Sequence, residues 1–176
     1  MTISFKIKDS KIIDDLKILE PSVFSENRGK IWTSYNSEFL PNLLPKDLSF
    51  KHDKFSQSKK NVLRGIHGDK KSWKLVSCIQ GSILQVVVDM RESSSSYLKW
   101  ESFELGDNCH SSVLIPPGMG NAFFVNSDIA TYHYKLAYNG NYIDAEDQFT
   151  IPWNDSRLGI KWPNMDPILS ERDKGL

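Results

Sequence analysis

Groups capable of proton chemistry stand together in one short stretch, Asn61-Val62-Leu63-Arg64-Gly65-Ile66-His67-Gly68-Asp69, with Trp73-Lys74-Leu75-Val76 close behind. An imidazole titrates near neutrality, so His67 can act as a general base. Lys74 supplies a compact positive charge, a suitable partner for negative charge developing on an oxygen. Arg64 offers planar, bidentate donors that fit phosphate oxygens. Taken singly, each has an ordinary alternative: a hydrogen-bonded half-buried histidine, a solvated strand lysine, a surface arginine. On an extended strand Leu63, Gly65 and His67 share one face, and Val62, Arg64 and Ile66 share the other.

The elements that must position these groups are strands. Residues 74–79 and 82–90 are rich in Val, Ile and Leu, and Gln80-Gly81 between them reads as a tight turn. Residues 100–105, 112–115, 122–125 and 131–137 continue the series. Short strands separated by Gly, Asn, Asp or Pro predict a sandwich or small barrel. Around Tyr134, the residues Tyr132, Tyr134 and Leu136 share one face, while His133 and Lys135 point the other way, which makes His133 a surface residue. Upstream, the weak alternation of Ile3, Phe5 and Ile7, and then Leu16, Ile18 and Leu19 before Glu20-Pro21, predict two strands ended by turns. Residues 35–44 predict one short helix, broken by Pro41 and Pro45. The serine run 93–96 and Pro152-Trp153-Asn154-Asp155 read as loops, and residues 168–173 as a single helical turn.

A chain of 176 residues fits one domain, residues 1–176, with a real core. Its 22 Lys and Arg balance 22 Asp and Glu, so no net field favours nucleic acid or an anionic membrane, although a local basic cluster would suit an anionic small molecule. Cys78 and Cys109 form no CxxC pair and read as thiols in a reducing compartment. The N-terminus is charged throughout, and no run approaches the ~20 apolar residues of a membrane span. The expectation is a soluble, cytoplasmic protein.

In order, the fragments EPSVFSENRG, VLRGIH, WKLV, QVVVDMR, LIPPGMGNAF, YHYK, WNDSRLGIKWP and ILSERD resemble the dTDP-4-dehydrorhamnose 3,5-epimerase family. The resemblance covers nearly the whole chain. It implies an all-β cupin jelly roll, a β-sandwich or barrel with a few short helices. It also implies a homodimer with exchanged N-terminal strands, acting on a nucleotide-linked 4-keto sugar. His67 matches the family's catalytic base and Asp173 its carboxylate partner. Lys74 matches the lysine near the ketone oxygen, and Tyr134 the tyrosine facing the other side of the sugar. Arg64 and Arg172 match positions that hold the diphosphate. Phe24 and Arg28 match residues that reach the nucleotide from the neighbouring subunit. Without the family, Asp173 reads as an exposed acid on a terminal turn, and Tyr134 as a packed aromatic.

The chain also departs from the pattern. Gly68 and Asp69 stand where an aromatic and a Gln usually follow the catalytic His, and Asn121 replaces a His after the proline-glycine turn. His52-Asp53-Lys54-Phe55 replaces a Gln-Asp-Asn-His run, and Tyr138-Asn139-Gly140-Asn141-Tyr142 replaces an aromatic pair. These positions line the sugar and nucleotide pockets in the family, so His52, Lys54 and Asn121 are expected to bind substrate. The altered set is similar to a branch acting on GDP-linked 4-keto-heptoses in bacterial surface-polysaccharide pathways.

Metal-binding cupins use several His plus a carboxylate. Here His52, His67, His110 and His133 include no HxH pair, so neither metal nor cofactor is expected. The resulting expectation is a metal-free 3,5-epimerase of a 4-keto-6-deoxy hexose or heptose, working through an enolate. The alternatives are a 3-epimerase inverting one carbon, a dTDP-4-dehydrorhamnose 3,5-epimerase proper, and a non-catalytic sugar-binding cupin.

Overall fold

In the computed structural model, residues 2–40 and 42–175 are described. The strands run in chain order as β1 (Phe5–Asp9), β2 (Lys17–Pro21), β3 (Val23–Glu26), β4 (Gly29–Trp32), β5 (His52–Lys59), β6 (Leu63–Gly68) and β7 (Trp73–Gln80). They continue as β8 (Ser82–Asp89), β9 (Trp100–Gly106), β10 (Ser112–Ile115), β11 (Met119–Val125), β12 (Ile129–Ala137) and β13 (Phe149–Thr150), and the chain ends in a short helix, α1 (Glu171–Lys174). One sheet has the order β1-β2-β10-β7-β12-β5, and the other β13-β6-β11-β8-β9. Strands β3 and β4 form a hairpin of their own.

The two large sheets face each other across a shared core. Val76 and Cys78 of β7, Val113 and Ile115 of β10, and Ala130 and Tyr132 of β12 meet Ile83 and Val87 of β8 and Phe123 and Val125 of β11. Both outer faces are also partly covered. Val86, Val88 and Phe124 pack outward against Leu158 and Trp162 of the C-terminal segment. Leu19, Leu75 and Leu114 pack outward under Leu40 and Leu43. Strands buried on both faces read as continuous apolar runs, which is why 82–90 shows no alternation.

The helix expected at 35–44 is not formed among the described residues. Asn36 Oδ1 accepts the backbone N–H groups of Glu38 (2.8 Å) and Phe39 (3.3 Å), a local turn that competes with helix propagation. The segment instead lays Leu40 and Leu43 on the sheet; the expected break at Pro41 lies outside the described residues. The strand-by-strand reading from 74 onward holds, with β11 and β12 longer than expected. Strands β3, β4 and β13 carry no pattern that identified them.

One correction bears on the site. Simple alternation put Arg64 and His67 on opposite faces of β6. Against β11, however, Asn121 pairs with His67 and Phe123 with Arg64, so three steps on β6 match two on β11. The extra residue is a bulge, and it turns both side chains into the sandwich while Leu63 and Ile66 face outward. Gly65 permits this. Its φ is +120°, and a Cβ there would lie 2.6 Å from both the Ala122 Cβ and the Asn121 carbonyl oxygen.

No helix among the described residues is long and apolar enough to cross a membrane.

Candidate active site

The sandwich opens into a pocket of about 370 Å³ between β5, β7 and β12 on one wall and β6 and β11 on the other, with α1 at its edge. Eight of the eleven expected site residues line it: Lys54, Arg64, His67, Lys74, Asn121, Tyr134, Arg172 and Asp173.

His67 Nε2 lies 2.6 Å from Asp173 Oδ1, across 106 residues of sequence. The tail is tied to the start of β6 to make this contact. Leu63 N–H donates to the Ile168 carbonyl (3.1 Å) and Ile168 N–H to the Asn61 carbonyl (2.8 Å), so the chain arrives beside His67. Ser170 then caps α1, its hydroxyl donating to Asp173 Oδ2 at 2.8 Å, and Gly175 closes the turn with φ +81°. Burial pushes the Asp173 carboxyl up, but hydrogen bonds from His67, Ser170 and the Gly65 N–H outweigh it and hold the group below its ordinary value. Asp173 is therefore an anion at 6% exposure, not the exposed acid that an isolated terminal turn suggests.

Lys74 projects from β7 at 8% exposure. Burial draws its ammonium down from the ordinary lysine value and the Arg172 charge adds to this, while Asp69, 3.3 Å away, opposes both. Tyr134 comes from β12 and His67 from β6, so they address the pocket from facing sheets. Burial raises the Tyr134 phenol, against the lowering effect of Lys54, so the hydroxyl keeps its proton at neutral pH.

Arg64 and Arg172 are oriented by hydroxyls: Arg64 Nε donates to Ser58 Oγ and Arg172 Nε to Thr150 Oγ1, both at 2.9 Å. Arg172 Nη2 is buried with no hydrogen-bond partner among the described residues, a donor awaiting an acceptor. Lys54 Nζ stands 3.3 Å from the Tyr142 hydroxyl at the rim.

The orientation of Asn121 follows from a chain of contacts. Gln85, fully buried, has Nε2 3.0 Å from the Val86 carbonyl and 2.6 Å from Asn121 Oδ1. A carbonyl accepts only from a donor, so Val86 fixes which end of Gln85 is nitrogen and thereby which end of Asn121 is oxygen. The Tyr132 hydroxyl, 2.9 Å from Gln85 Oε1 and 3.2 Å from Asn121 Oδ1, agrees with that assignment. The Asn121 amide nitrogen is left for the pocket.

Three expected residues stand elsewhere. Phe24 and Arg28 lie on the β3–β4 hairpin, where Phe24 is 45% exposed and Arg28 pairs with Glu26. His52 does not line the pocket. Its ring packs edge-on against Tyr142, with centroids 4.8 Å apart, so it supports the rim. His133, set aside in the sequence reading, sits outside the pocket, half-buried between Phe55 and Asp53.

Sequence reasoning missed Ser58, Gln85, Asp144, Gln148 and Ser170. Of these only Ser170 carried a signal, since Ser170-Glu171-Arg172-Asp173 has the spacing of a capping box. The aromatic absent at position 68 is supplied in space: a Cβ on Gly68 would lie 2.3 Å from Phe149 Cζ, so the ring of β13 occupies that site. Among the described residues no group of three or more His, Cys, Asp or Glu gathers as a metal site.

The family model described as dTDP-4-dehydrorhamnose 3,5-epimerase matches residues 10–176. The chain is 40% identical over 168 residues to the dTDP-4-dehydrorhamnose 3,5-epimerase of Escherichia coli K12, covering 93% of this chain and 89% of that one. The crystal structure of dTDP-6-deoxy-D-glucose-3,5-epimerase from Legionella pneumophila, in complex with dTDP-4-keto-L-rhamnose, superposes with a TM-score of 0.88 at 33% identity, covering 97% of this chain and 90% of that one. A dTDP-4-dehydrorhamnose 3-epimerase of Streptomyces niveus is 31% identical over 159 residues, covering 89% of this chain and 75% of that one.

Proposed function

The chain belongs to the dTDP-4-dehydrorhamnose 3,5-epimerase family and is an isomerase, and from that premise we propose that it inverts the two carbons flanking the ketone of a nucleotide-linked 4-keto-6-deoxy sugar. The observation that carries this reading is the His67–Asp173 pair in one pocket with Lys74 and Tyr134. A non-catalytic sugar-binding cupin would need no buried base, oxyanion partner and acid together.

Asp173 on Nε2 fixes the proton there and leaves Nδ1 of His67 as the base. Nδ1 takes the hydrogen beside the carbonyl, and the electron pair moves onto the carbonyl oxygen as an enolate. The Lys74 ammonium stabilises that oxygen in a water-poor pocket. Tyr134, on the facing wall, returns a proton to the opposite face of the carbon as the enolate electrons move back; solvent then takes the proton from His67 and reprotonates the phenolate. Arg64, Arg172 and Lys54 hold the diphosphate and nucleotide end. The steps need no metal or cofactor.

The active unit in this reading is a homodimer with exchanged N-terminal strands. The support is the β3–β4 hairpin, which hydrogen-bonds to neither large sheet among the described residues and exposes Val23 (40%), Phe24 (45%) and Ile31 (51%). Two cysteines outside any disulfide suit a cytoplasmic enzyme.

The relatives named above are dTDP-linked enzymes, and dTDP-4-keto-6-deoxyglucose is the first substrate in this reading. A second reading, a GDP-linked 4-keto-heptose, is favoured by the replaced pocket residues Lys54, Asp69, Asn121 and Tyr142, all but Asp69 within reach of solvent in the pocket; the named relatives give it no support. Incubation of each substrate in deuterated water, followed by proton NMR, decides. The reading requires deuterium at both carbons with inversion at both. Label at one carbon makes the enzyme a 3-epimerase, and no label with either substrate removes the catalytic reading.

A further inference from the structure

The turn between β6 and β7 holds a buried carboxylate that none of the proton-transfer steps uses. Asp69 is 5% exposed and stands at one of the departures from the family pattern. Its Oδ1 accepts the backbone N–H groups of Lys71 (2.9 Å) and Ser72 (2.6 Å), which fixes the side chain within the turn. Its Oδ2 is buried, makes no hydrogen bond among the described residues, and has the Lys74 ammonium 3.3 Å away.

The surroundings of Lys74 leave Asp69 as its only carboxylate partner among the described residues. From β6, Arg64 is positive and His67 is committed to Asp173. From α1, Arg172 is positive and Asp173 is taken up by His67 and Ser170. From β12, Tyr134 is a neutral phenol; on β10, which pairs with β7, the register neighbour is the apolar Ile115. At the rim, Lys54 and Asp144 lie close enough to act on each other. A buried ammonium among cations sheds its proton unless an anion holds it.

We infer that Asp69 is a positioning residue that keeps Lys74 charged and aimed at the ketone oxygen. The inference rests on the reading of Lys74 as the enolate's partner. Burial and Arg172 both pull the lysine's titration down, and Asp69 is the group that pulls it up. Without the carboxylate, the lysine's titration falls further and less of it carries the charge that stabilises an enolate.

The test uses Asp69→Asn, which keeps the oxygen needed by the turn and removes the charge. Protein carrying 13C-labelled lysine is titrated by NMR, with the Lys74 resonance assigned by its loss in Lys74→Arg. The expected result is a Lys74 midpoint lowered by about one unit or more in Asp69→Asn, equivalent to a tenfold change in the ratio of charged to neutral lysine. The alkaline limb of kcat should move to lower pH with it, while KM changes less than kcat. Should Asp69→Asn fold poorly by circular dichroism, Asp69→Ser preserves a turn acceptor and answers the same question. An unmoved Lys74 midpoint in the folded variant overturns the inference. A lowered midpoint with kcat unchanged also overturns it, because the charge would then not serve the reaction. If Lys74→Met itself retains full activity, the reading of Lys74 fails instead; the NMR titration still reports whether the pair exists.

Discussion

Asp173 holds His67 on one carboxylate oxygen, 2.6 Å from Nε2, and the Ser170 hydroxyl on the other at 2.8 Å. Both oxygens are occupied, so the carboxylate cannot rotate without losing a contact, and the imidazole behind it keeps one tautomer. Asp173→Asn preserves size while removing the negative charge and one of the two acceptor oxygens, so the imidazolium formed on proton abstraction loses its anionic partner. The expected loss is ~10²–10⁴-fold in kcat, the size of a general-base contribution, with KM changed far less. Steady-state kinetics on the variant checks this. A loss confined to KM would make Asp173 a substrate-binding group only.

Arg28 tests assembly. In the proposed dimer it serves the partner's pocket, so a subunit carrying Arg28→Ala and one carrying His67→Asn are each inactive as homodimers. In the hybrid, the His67-bearing pocket receives an intact Arg28 from its neighbour. Dissociating and re-pairing equal amounts should recover roughly a quarter of wild-type activity, from half the dimers with one sound site each. No recovery above the separate variants, in a mixture shown to contain hybrids, would mean that the hairpin does not cross between subunits.

Much of this architecture was legible in the sequence, for a definite reason. Most residues in the runs at 74–79, 82–90 and 112–115 are buried, with apolar side chains on both faces, an environment that favours an apolar β-forming sequence. The hairpin β3–β4 was not legible, because exposed strands place no apolar demand on their residues. The facing of Arg64 and His67 was misread because a bulge resets the two-residue period, and Gly65 is its only local trace. Asp173 could not be connected to His67 by spacing at all. The connection runs through Ile168 against Asn61 and Leu63, a backbone contact that no side-chain pattern announces. His52 was assigned to the substrate from a neighbouring motif, yet its ring packs edge-on against Tyr142 and Tyr138.

Acid stability should hinge on Asp89, which is fully buried at the end of β8. Burial pushes its carboxyl up, but Arg91, Ser94 and Ser96 hydrogen-bond the anion and hold it well below the usual carboxylate range. A group depressed in the folded state contributes stability above its unfolded pKa of ~3.9 and loses it as pH falls toward the folded value. Wild-type Tm should therefore decline below about pH 4. Asp89→Asn should be less stable at pH 7 by about 1–3 kcal/mol, because Arg91, Ser94 and Ser96 lose the anion they hydrogen-bond while Arg91 keeps Asp15, and its Tm should fall less on acidification. Parallel Tm curves for the two proteins between pH 3 and 7 would assign the acid sensitivity to another group.

Chelation should leave the reaction untouched. Exhaustive EDTA treatment followed by added zinc, iron or manganese is expected to change the rate by less than the assay's error. A metal retained at full occupancy beside His67, with activity that follows it, would require a different mechanism.

His67 and Tyr134 stand on facing sheets, and their losses should differ in kind. His67→Asn keeps a polar side chain but removes the base, so solvent exchange and inversion should fall together, by ~10²–10⁴-fold. Tyr134→Phe keeps the ring and removes only the hydroxyl. His67 can then still form the enolate and return a solvent-equilibrated proton to the face it came from. Deuterium should enter the starting sugar without a change of configuration. The measurement is deuterium content against product stereochemistry, followed in time for both variants. Equal loss of exchange and inversion in Tyr134→Phe would show that the phenol also takes part in forming the enolate, and its assignment as the returning acid would have to be withdrawn.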